Sequence, residues 1–369
     1  MTTTGKQLFT TLTADGTLTL EIAENTFKDP VGNQVLVKME AAPINPSDLA
    51  ILTSAADFEN AEYSAGKVVA KMPEPFLSGQ KSRHGQRLPA GNEGAGTVVA
   101  TGDSDAAKAL MGQRVACVPG NAFSQYAIAD AAMCLPLGDH SSEAGASSFV
   151  NPMTALGFVE NARMDGQKSI LHTVGASNLG QMLNRICLED GMGLVNIVRK
   201  DEQVELLKSQ GATHIVNSSG GDFMDQLKTA IDDTDAFYGF DPIGGGKMVD
   251  NCFKAMEQVA VGKMTEYSRY GSNQQKRMFI YGRLDFAPTT LSLAYGFGFT
   301  LSGWLLTPFL ANAGMETVMR MRKRVLDNLT TTFASSYKEK VDLEGMLTKE
   351  AILDYKQMKT GEKYLVTPN

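Results

Sequence analysis

The sequence predicts an α/β protein in which a doubly wound parallel-sheet domain joins a β-rich domain of short strands. Residues 17–128 hold short runs of strand-forming residues separated by glycine, the spacing of a compact barrel-like domain. From about residue 149 the rhythm changes to strands alternating with amphipathic helices. Within that half, residues 169–199 read as a buried strand, a glycine loop, a helix and a second buried strand, the layout of a βαβ unit.

Residues 17–22 and 34–39 alternate apolar and polar side chains, the second run following a turn at Pro30 and Gly32. Residues 96–100, 114–118 and 124–128 are further short strands. Residues 58–89 carry Pro73, Pro75, Gly79, Gly85 and Pro89 and read as one long irregular loop, of a length usually kept for functional or mobile segments. Residues 144–162 read as a helix. After the βαβ unit come a helix at 201–210, a strand at 214–217, a helix at 222–231 and a strand at 236–241. The turn Gly244-Gly245-Gly246 opens a helix near 247–256, and strands at 277–281 and 300–304 complete a sheet. In the tail, a strand at 341–343, a helix at 348–358 and a strand at 363–366 suit a return to the first domain. The expected boundaries are 1–148, 149–332 and 333–369, with the middle segment inserted into one domain.

The loop of the βαβ unit is Gly175-Ala176-Ser177-Asn178-Leu179-Gly180. Gly175 serves a tight turn out of the strand, and Gly180 lets the helix pack close to the sheet. The helix N-terminus, with Asn178 and Leu179 in its first turn, presents N–H groups and a partial positive charge to a pyrophosphate. Ser177 replaces the middle glycine of the dinucleotide-binding pattern; it is small, and its hydroxyl offers a phosphate one more donor. The second strand ends in Arg199-Lys200. An acid there would hold the ribose hydroxyls of NADH and repel a 2′-phosphate, whereas two cations suit the phosphate, so NADPH is the expected cofactor. Asp201 and Glu202 follow at once and would reach the ribose if the strand ran longer.

Composition narrows the function. Hydrophobic residues are 43% and charged residues 20% of the 369, ordinary for a globular chain large enough for two cores. A net charge of −7, without a basic stripe interleaved with aromatics, argues against nucleic acid, and no apolar run approaches a membrane span. The opening MTTTGKQLF has neither the layout of a secretory leader nor the arginines of a transit peptide. A cytoplasmic enzyme acting on a small molecule is expected. Cys117, Cys134, Cys187 and Cys252 form no C-x-x-C pair, and His84, His140, His172 and His214 show no metal-ligand spacing. Cys187 falls on the apolar face of the βαβ helix, and His172, ending the first βαβ strand, reads as a near-core histidine.

Several stretches, in order along most of the chain, resemble one family. They are Ala42-Pro43-Ile44-Asn45-Pro46-Ser47-Asp48, Gly91-Asn92-Glu93-Gly94-Ala95-Gly96, Asn151-Pro152-Met153-Thr154-Ala155, Gly211-Ala212, Phe240-Asp241-Pro242-Ile243-Gly244-Gly245, Tyr281-Gly282 and Thr360-Gly361-Glu362-Lys363. Together they resemble the zinc-free branch of the medium-chain dehydrogenase/reductases, that of the NADPH:quinone oxidoreductases and 2-enoyl-thioester reductases. The resemblance implies a GroES-like catalytic domain built from both termini around an inserted Rossmann-type domain, and a homodimer paired along the sheet edge near 299–304. The zinc branch has a Cys where this chain has Asn45, a His where it has Asn92, and a cysteine-rich lobe absent here, so no metal is expected. The resemblance also implies that Asn45 and Asp48 lie near nicotinamide and substrate. It further implies that Thr154 lies at the nicotinamide end and that the backbone at Tyr281 and Gly282 lines the cofactor. Asn45 and Asp48 equally fit a turn and helix cap around Pro46.

The chemistry so implied is hydride transfer from NADPH to an electron-poor double bond. In the enoyl-thioester reductases a tyrosine shortly after the Asn45–Asp48 motif gives the proton. Residues 49–61 contain none; Tyr63 is the nearest candidate, with Tyr267 and Tyr270 in a second atypical stretch, 263–276. Three functions stay open. One is an NADPH-dependent reductase of quinones or enones, acceptors that need little acid catalysis. Another is a 2-enoyl-thioester reductase, for which Lys67, Lys71, Lys81, Arg83 and Arg87 offer a basic patch. The last is an NADPH-binding structural or redox-sensing protein without turnover.

Overall fold

The computed structural model describes residues 2–359 and 363–369, so Thr360, Gly361 and Glu362 of the terminal motif lie outside the described residues. The chain forms two compact units, Met1–Val150 with Val325–Asn369, and Asn151–Arg324.

The first unit opens with two long antiparallel strands, β1 (Thr3–Leu12) and β2 (Thr17–Phe27), whose alternation buries Leu8, Leu12, Leu18 and Leu20. They belong to a five-stranded sheet in the order β4-β5-β2-β1-β6, with β4 (Asp57–Ser64), β5 (Lys67–Lys71) and β6 (Arg87–Pro89). A second, seven-stranded sheet runs β10 (Leu135–Pro136), β8 (Arg114–Cys117), β7 (Gly94–Thr101), β3 (Gln34–Pro43), β18 (Tyr364–Val366), β17 (Glu339–Val341), and β9 (Tyr126–Asp130) also pairs with β3. The helices are α1 (Pro46–Leu52), α2 (Glu74–Leu77), α3 (Asp105–Ala109), α4 (Ser142–Gly145) and, from the tail, α12 (Lys349–Tyr355). Met346, Ile352, Tyr355 and Val366 of the tail join the core that holds Leu8 and Val37.

Residues 58–89, expected as a loop, are ordered. β4 and β5 form a hairpin through Ala65-Gly66, with Gly66 at φ +67°, and α2, a 3-10 turn (Ser78–Arg83) and β6 follow. Its prolines sit where they remove no needed hydrogen bond: Pro73 and Pro75 at the start of α2, Pro89 at the end of a short edge strand. Residues 144–162, expected as one helix, are split between α4 and α5 (Val150–Met164), with the weak helix formers Ser147 and Ser148 between them.

The second unit is a parallel six-stranded sheet ordered β13-β12-β11-β14-β15-β16. Its strands are β11 (Ser169–His172), β12 (Gly193–Val198), β13 (His214–Asn217), β14 (Tyr238–Asp241), β15 (Lys276–Ile280) and β16 (Phe299–Gly303). The helices are α6 (Asn178–Asp190), α7 (Asp201–Ser209), α8 (Phe223–Thr234), α9 (Met248–Gly262), α10 (Leu306–Ala313) and α11 (Met315–Asp327), following α5. Ile170, Leu171, Val195 and Ile197 are fully buried, as strands covered on both faces require. The strand order runs outward from β11 in one direction and resumes beside it in the other. This makes the carboxyl ends of β11 and β14 the switch point where such sheets take ligands. The unit closes at Arg324, inside α11, rather than at 332.

Candidate functional site

In the first unit, three neighbouring strands bring polar side chains to one end. β3 runs into Asn45 and α1; β7, antiparallel to it, starts just after Glu93; β18, antiparallel on its other side, starts just after Lys363. The register pairs Ala41 with Ala95 and Pro43 with Leu365, so Asn45, Glu93 and Lys363 meet where the strands end. Glycine must follow Glu93, because a Cβ at Gly94 would lie 2.8 Å from the Ala41 carbonyl oxygen.

Asn45, Asp48 and Glu93 are each 1% exposed. Asn45 Nδ2 donates to Glu93 Oε1 at 2.8 Å, and Glu93 Oε2 accepts the main-chain N–H groups of Phe149 and Val150, both at 2.9 Å. Asp48 Oδ2 accepts the Asn45 N–H and Oδ1 the Asn92 N–H, both at 2.8 Å. Burial pushes the Asp48 carboxyl up to about 7 and Glu93 adds to the rise, while the two N–H bonds and Lys363 pull the other way. Lys363 Nζ donates to Ser147 Oγ at 2.7 Å, and Ser147 Oγ lies 2.9 Å from the Tyr337 hydroxyl. Burial lowers the Lys363 ammonium to about 8 against the pull of Glu93 and Asp48. Two groups that titrate near neutrality thus stand beside a buried amide whose Oδ1 has no partner among the described residues.

In the second unit the glycine turn leads directly into α6. Ser177 caps α6, its Oγ accepting the Gly180 N–H at 3.0 Å and donating to the Val174 carbonyl at 2.9 Å. The expectation that this hydroxyl is spare for a phosphate is corrected: both its roles are taken within the turn. Gly180 is required because a Cβ there would sit 2.3 Å from the Gly175 carbonyl oxygen, and Asn178 and Leu179 head the helix. Gly175 has no left-handed φ; it is glycine because a Cβ would lie 2.7 Å from Asn196 Oδ1. Arg199 and Lys200 are exposed between β12 and α7. Asp201, already in the first turn of α7, accepts Asn217 Nδ2 at 2.7 Å.

At the carboxyl ends of the central strands, the Thr173 hydroxyl donates to the buried Asp241, which also accepts the Gly244 N–H at 2.8 Å. His172, 0% exposed, has Nε2 2.7 Å from the Tyr281 hydroxyl, and the rings stack. Burial lowers His172 to about 3 and pushes the Tyr281 phenol well above its usual range, so the imidazole is neutral. Gly282 passes close to β14, where a Cβ would meet the Pro242 carbonyl oxygen at 2.8 Å; Thr154 is a buried residue of α5.

Tyr63 does not join these groups. It lies in β4, packs against the first unit's core and donates its hydroxyl to the Phe58 carbonyl at 2.8 Å. Tyr267 and Tyr270 are 93% and 61% exposed. The basic patch is mostly spent on neighbours: Lys67 and Arg87 face Glu21 at 3.8 and 3.9 Å, and Lys71 pairs with Asp15 at 3.1 Å. Arg83 donates to Gln80, Thr10 and the Ile51 carbonyl.

Residues 32–139 match the alcohol dehydrogenase GroES-like domain family. A Mesorhizobium loti structure, provisionally designated an NADPH:quinone reductase, is 27% identical and matches with a TM-score of 0.74 over 99% of this chain and 98% of that one. Residues 32–139 thus form a GroES-like domain of the alcohol dehydrogenase kind, and the chain as a whole is similar in fold to the medium-chain dehydrogenase/reductases. Human mitochondrial enoyl-[acyl-carrier-protein] reductase is 29% identical over 202 residues, 50% of this chain and 45% of its own length. Mouse prostaglandin reductase-3 is 26% identical over 189 residues, 51% of this chain and 44% of its own length. The chain thus spans about half the length of the curated relatives it matches. Among the described residues, no helix is long and apolar enough to cross a membrane. The cluster of the first unit adds Glu93, Lys363, Ser147 and Tyr337 to the residues expected from sequence. Glu93 and Lys363 stood inside recognised motifs, but Ser147 and Tyr337 carry no local signal, being joined to them only by tertiary contact.

Proposed function

We propose that this protein is an NADPH-dependent, metal-independent reductase that delivers hydride to a quinone or a related enone. The observation that carries the reading is the serine-capped glycine turn opening α6, with Arg199 and Lys200 exposed at the end of the next strand. The α6 N-terminus would take the pyrophosphate and the two cations the 2′-phosphate. NADPH supplies the hydride when bound. The chain's own task is to orient the acceptor and to hold or release a proton, for which Asp48 and Lys363, titrating near neutrality, are suited. Metal independence is supported by the donor set: the Asn45 and Asn92 amides, which bond Glu93 and Ser47, replace the thiolate and imidazole of a soft site.

The quinone or enone reading is favoured over the thioester because the cations expected to meet a nucleotide phosphate are largely engaged with Glu21 and Asp15. The likeness to an enoyl-[acyl-carrier-protein] reductase keeps the thioester as the second reading. Two further parts of the proposal are a homodimer, supported by the open outer edge of β16, and a cytoplasmic location, supported by four buried free cysteines. The deciding assay follows loss of reduced cofactor against a benzoquinone, a naphthoquinone, a simple enone and a crotonyl thioester, with NADH as control. Preferred turnover of the quinones or enone with NADPH is expected. Preference for the thioester selects the second reading, and tight NADPH binding without any turnover sinks both.

A further inference from the structure

The space beneath the glycine turn, in a strand and helix otherwise apolar on their buried faces, is filled with amides. Asn196 and Asn184 are 0% and 2% exposed, among Val195, Ile197, Leu183 and Ile186. Asn196 Nδ2 donates to Asn184 Oδ1 at 3.3 Å, and Asn184 Nδ2 donates to the Gln210 carbonyl at 3.4 Å. Gln210 Nε2 donates to Gln181 Oε1 at 2.7 Å, and Gln181 Nε2 donates to the Ala176 carbonyl at 3.0 Å. The ladder therefore begins against Gly175, whose missing Cβ makes room for Asn196, and ends on the next residue of the same turn.

Leucine or valine at the two buried asparagines would make an apolar core without polar groups to satisfy, and buried amides are costly unless bonded. Their hydrogen bonds run from one side of the turn, around α6 and the end of α7, to the other. The Ala176 carbonyl is also a group that would repel a phosphate if it swung outward; Gln181 holds it in a bond. We infer that Asn196, Asn184, Gln210 and Gln181 are positioning residues that fix the turn in its pyrophosphate-binding form. This rests on the NADPH reading above.

The test uses the full-length chain. Wild type, Gln181→Leu, Gln210→Leu and the double variant are compared for NADPH binding by cofactor fluorescence. Adenosine 2′-monophosphate, which carries the 2′-phosphate but no pyrophosphate, serves as the second probe. Each single variant is expected to bind NADPH about five- to tenfold more weakly, the cost of one lost hydrogen bond. The double variant should be no weaker than the worse single one, because both cut the same ladder. Fragment affinity and melting temperature should stay near wild type. Equal losses for NADPH and the fragment, or misfolding of both single variants, would make the ladder merely structural and overturn the inference. Unchanged NADPH affinity in the variants, with wild type binding, overturns the ladder alone. Failure of wild type to bind NADPH overturns the cofactor reading and the inference together.

Discussion

Asp48 and Lys363 titrate close to neutrality, pushed to about 7 and about 8 by burial, so a modest change in pH alters the charge of the cluster. The values belong to the coupled group, and kcat/KM should show breaks in that range. Asp48→Asn should remove the lower break and reduce turnover on the order of 100-fold if the carboxyl handles a proton; an unaltered pH profile would place Asp48 outside the chemistry. The stability effect has a definite sign. Because folding raises the Asp48 pKa, its contribution is full at acid pH and is lost as pH rises through about 7. His172 behaves oppositely. Folding depresses it to about 3, so its contribution is present above its unfolded value and is lost as pH falls. Between about pH 6.5 and 3 it should cost up to about 1.4 kcal/mol per pH unit. Denaturant titrations of His172→Gln should show a shallower acid limb than wild type; parallel limbs would contradict a neutral buried imidazole. At this scale sequence reached Asn45 and Asp48, which share one short motif. It placed Glu93 and Lys363 within motifs but missed that they meet in the cluster, because nothing local says that the starts of β7 and β18 flank the end of β3.

Elements were legible where one physical signal dominated. The run Leu194–Val198 reads as a doubly covered strand because every side chain in it but Asn196 is apolar, and it is β12. The hairpin of β4 and β5 was hidden because adjacent Glu59 and Asn60 are both exposed where the register shifts, which breaks the alternation that marks a strand. The βαβ turn was read correctly as an element but not in its detail, since sequence does not reveal that Ser177 spends its hydroxyl as a cap. Ser177→Ala removes both of those bonds and should cost about 1 kcal/mol in chemical denaturation, while Ser177→Gly should cost only a few tenths. Near-equal losses for the two would deny the cap. Gly180→Ala is a different case. Its Cβ would be driven toward the Gly175 carbonyl, so the turn itself must move.

At the scale of the whole molecule, the chain makes one unit from its two ends and the other from its uninterrupted middle. The consequence is an asymmetry in how the units tolerate truncation. Ending the chain at Asp327 leaves α11 whole but removes β17, β18 and α12. Met346, Ile352, Tyr355 and Val366 leave the first core, and β3 loses a partner strand. Each such loss is worth roughly 2–5 kcal/mol, against a total stability of about 5–15 kcal/mol for a typical domain, so the first unit should not survive. The second keeps every strand of its sheet, and the Glu160–Arg320 and Asp190–Arg324 ion pairs that tie α11 to α5 and α6 are retained. Limited proteolysis of the truncated chain, read by mass spectrometry, should therefore leave a resistant fragment close to 151–324 and digest 1–150. Joint protection of both segments would mean that the amino-terminal strands hold together without β18. The sequence suggested such a return of the tail from three short elements alone. The strength of the dependence was not visible there, because it lies in four side chains more than three hundred residues from Leu8, Leu12, Leu18 and Leu20 of the same core.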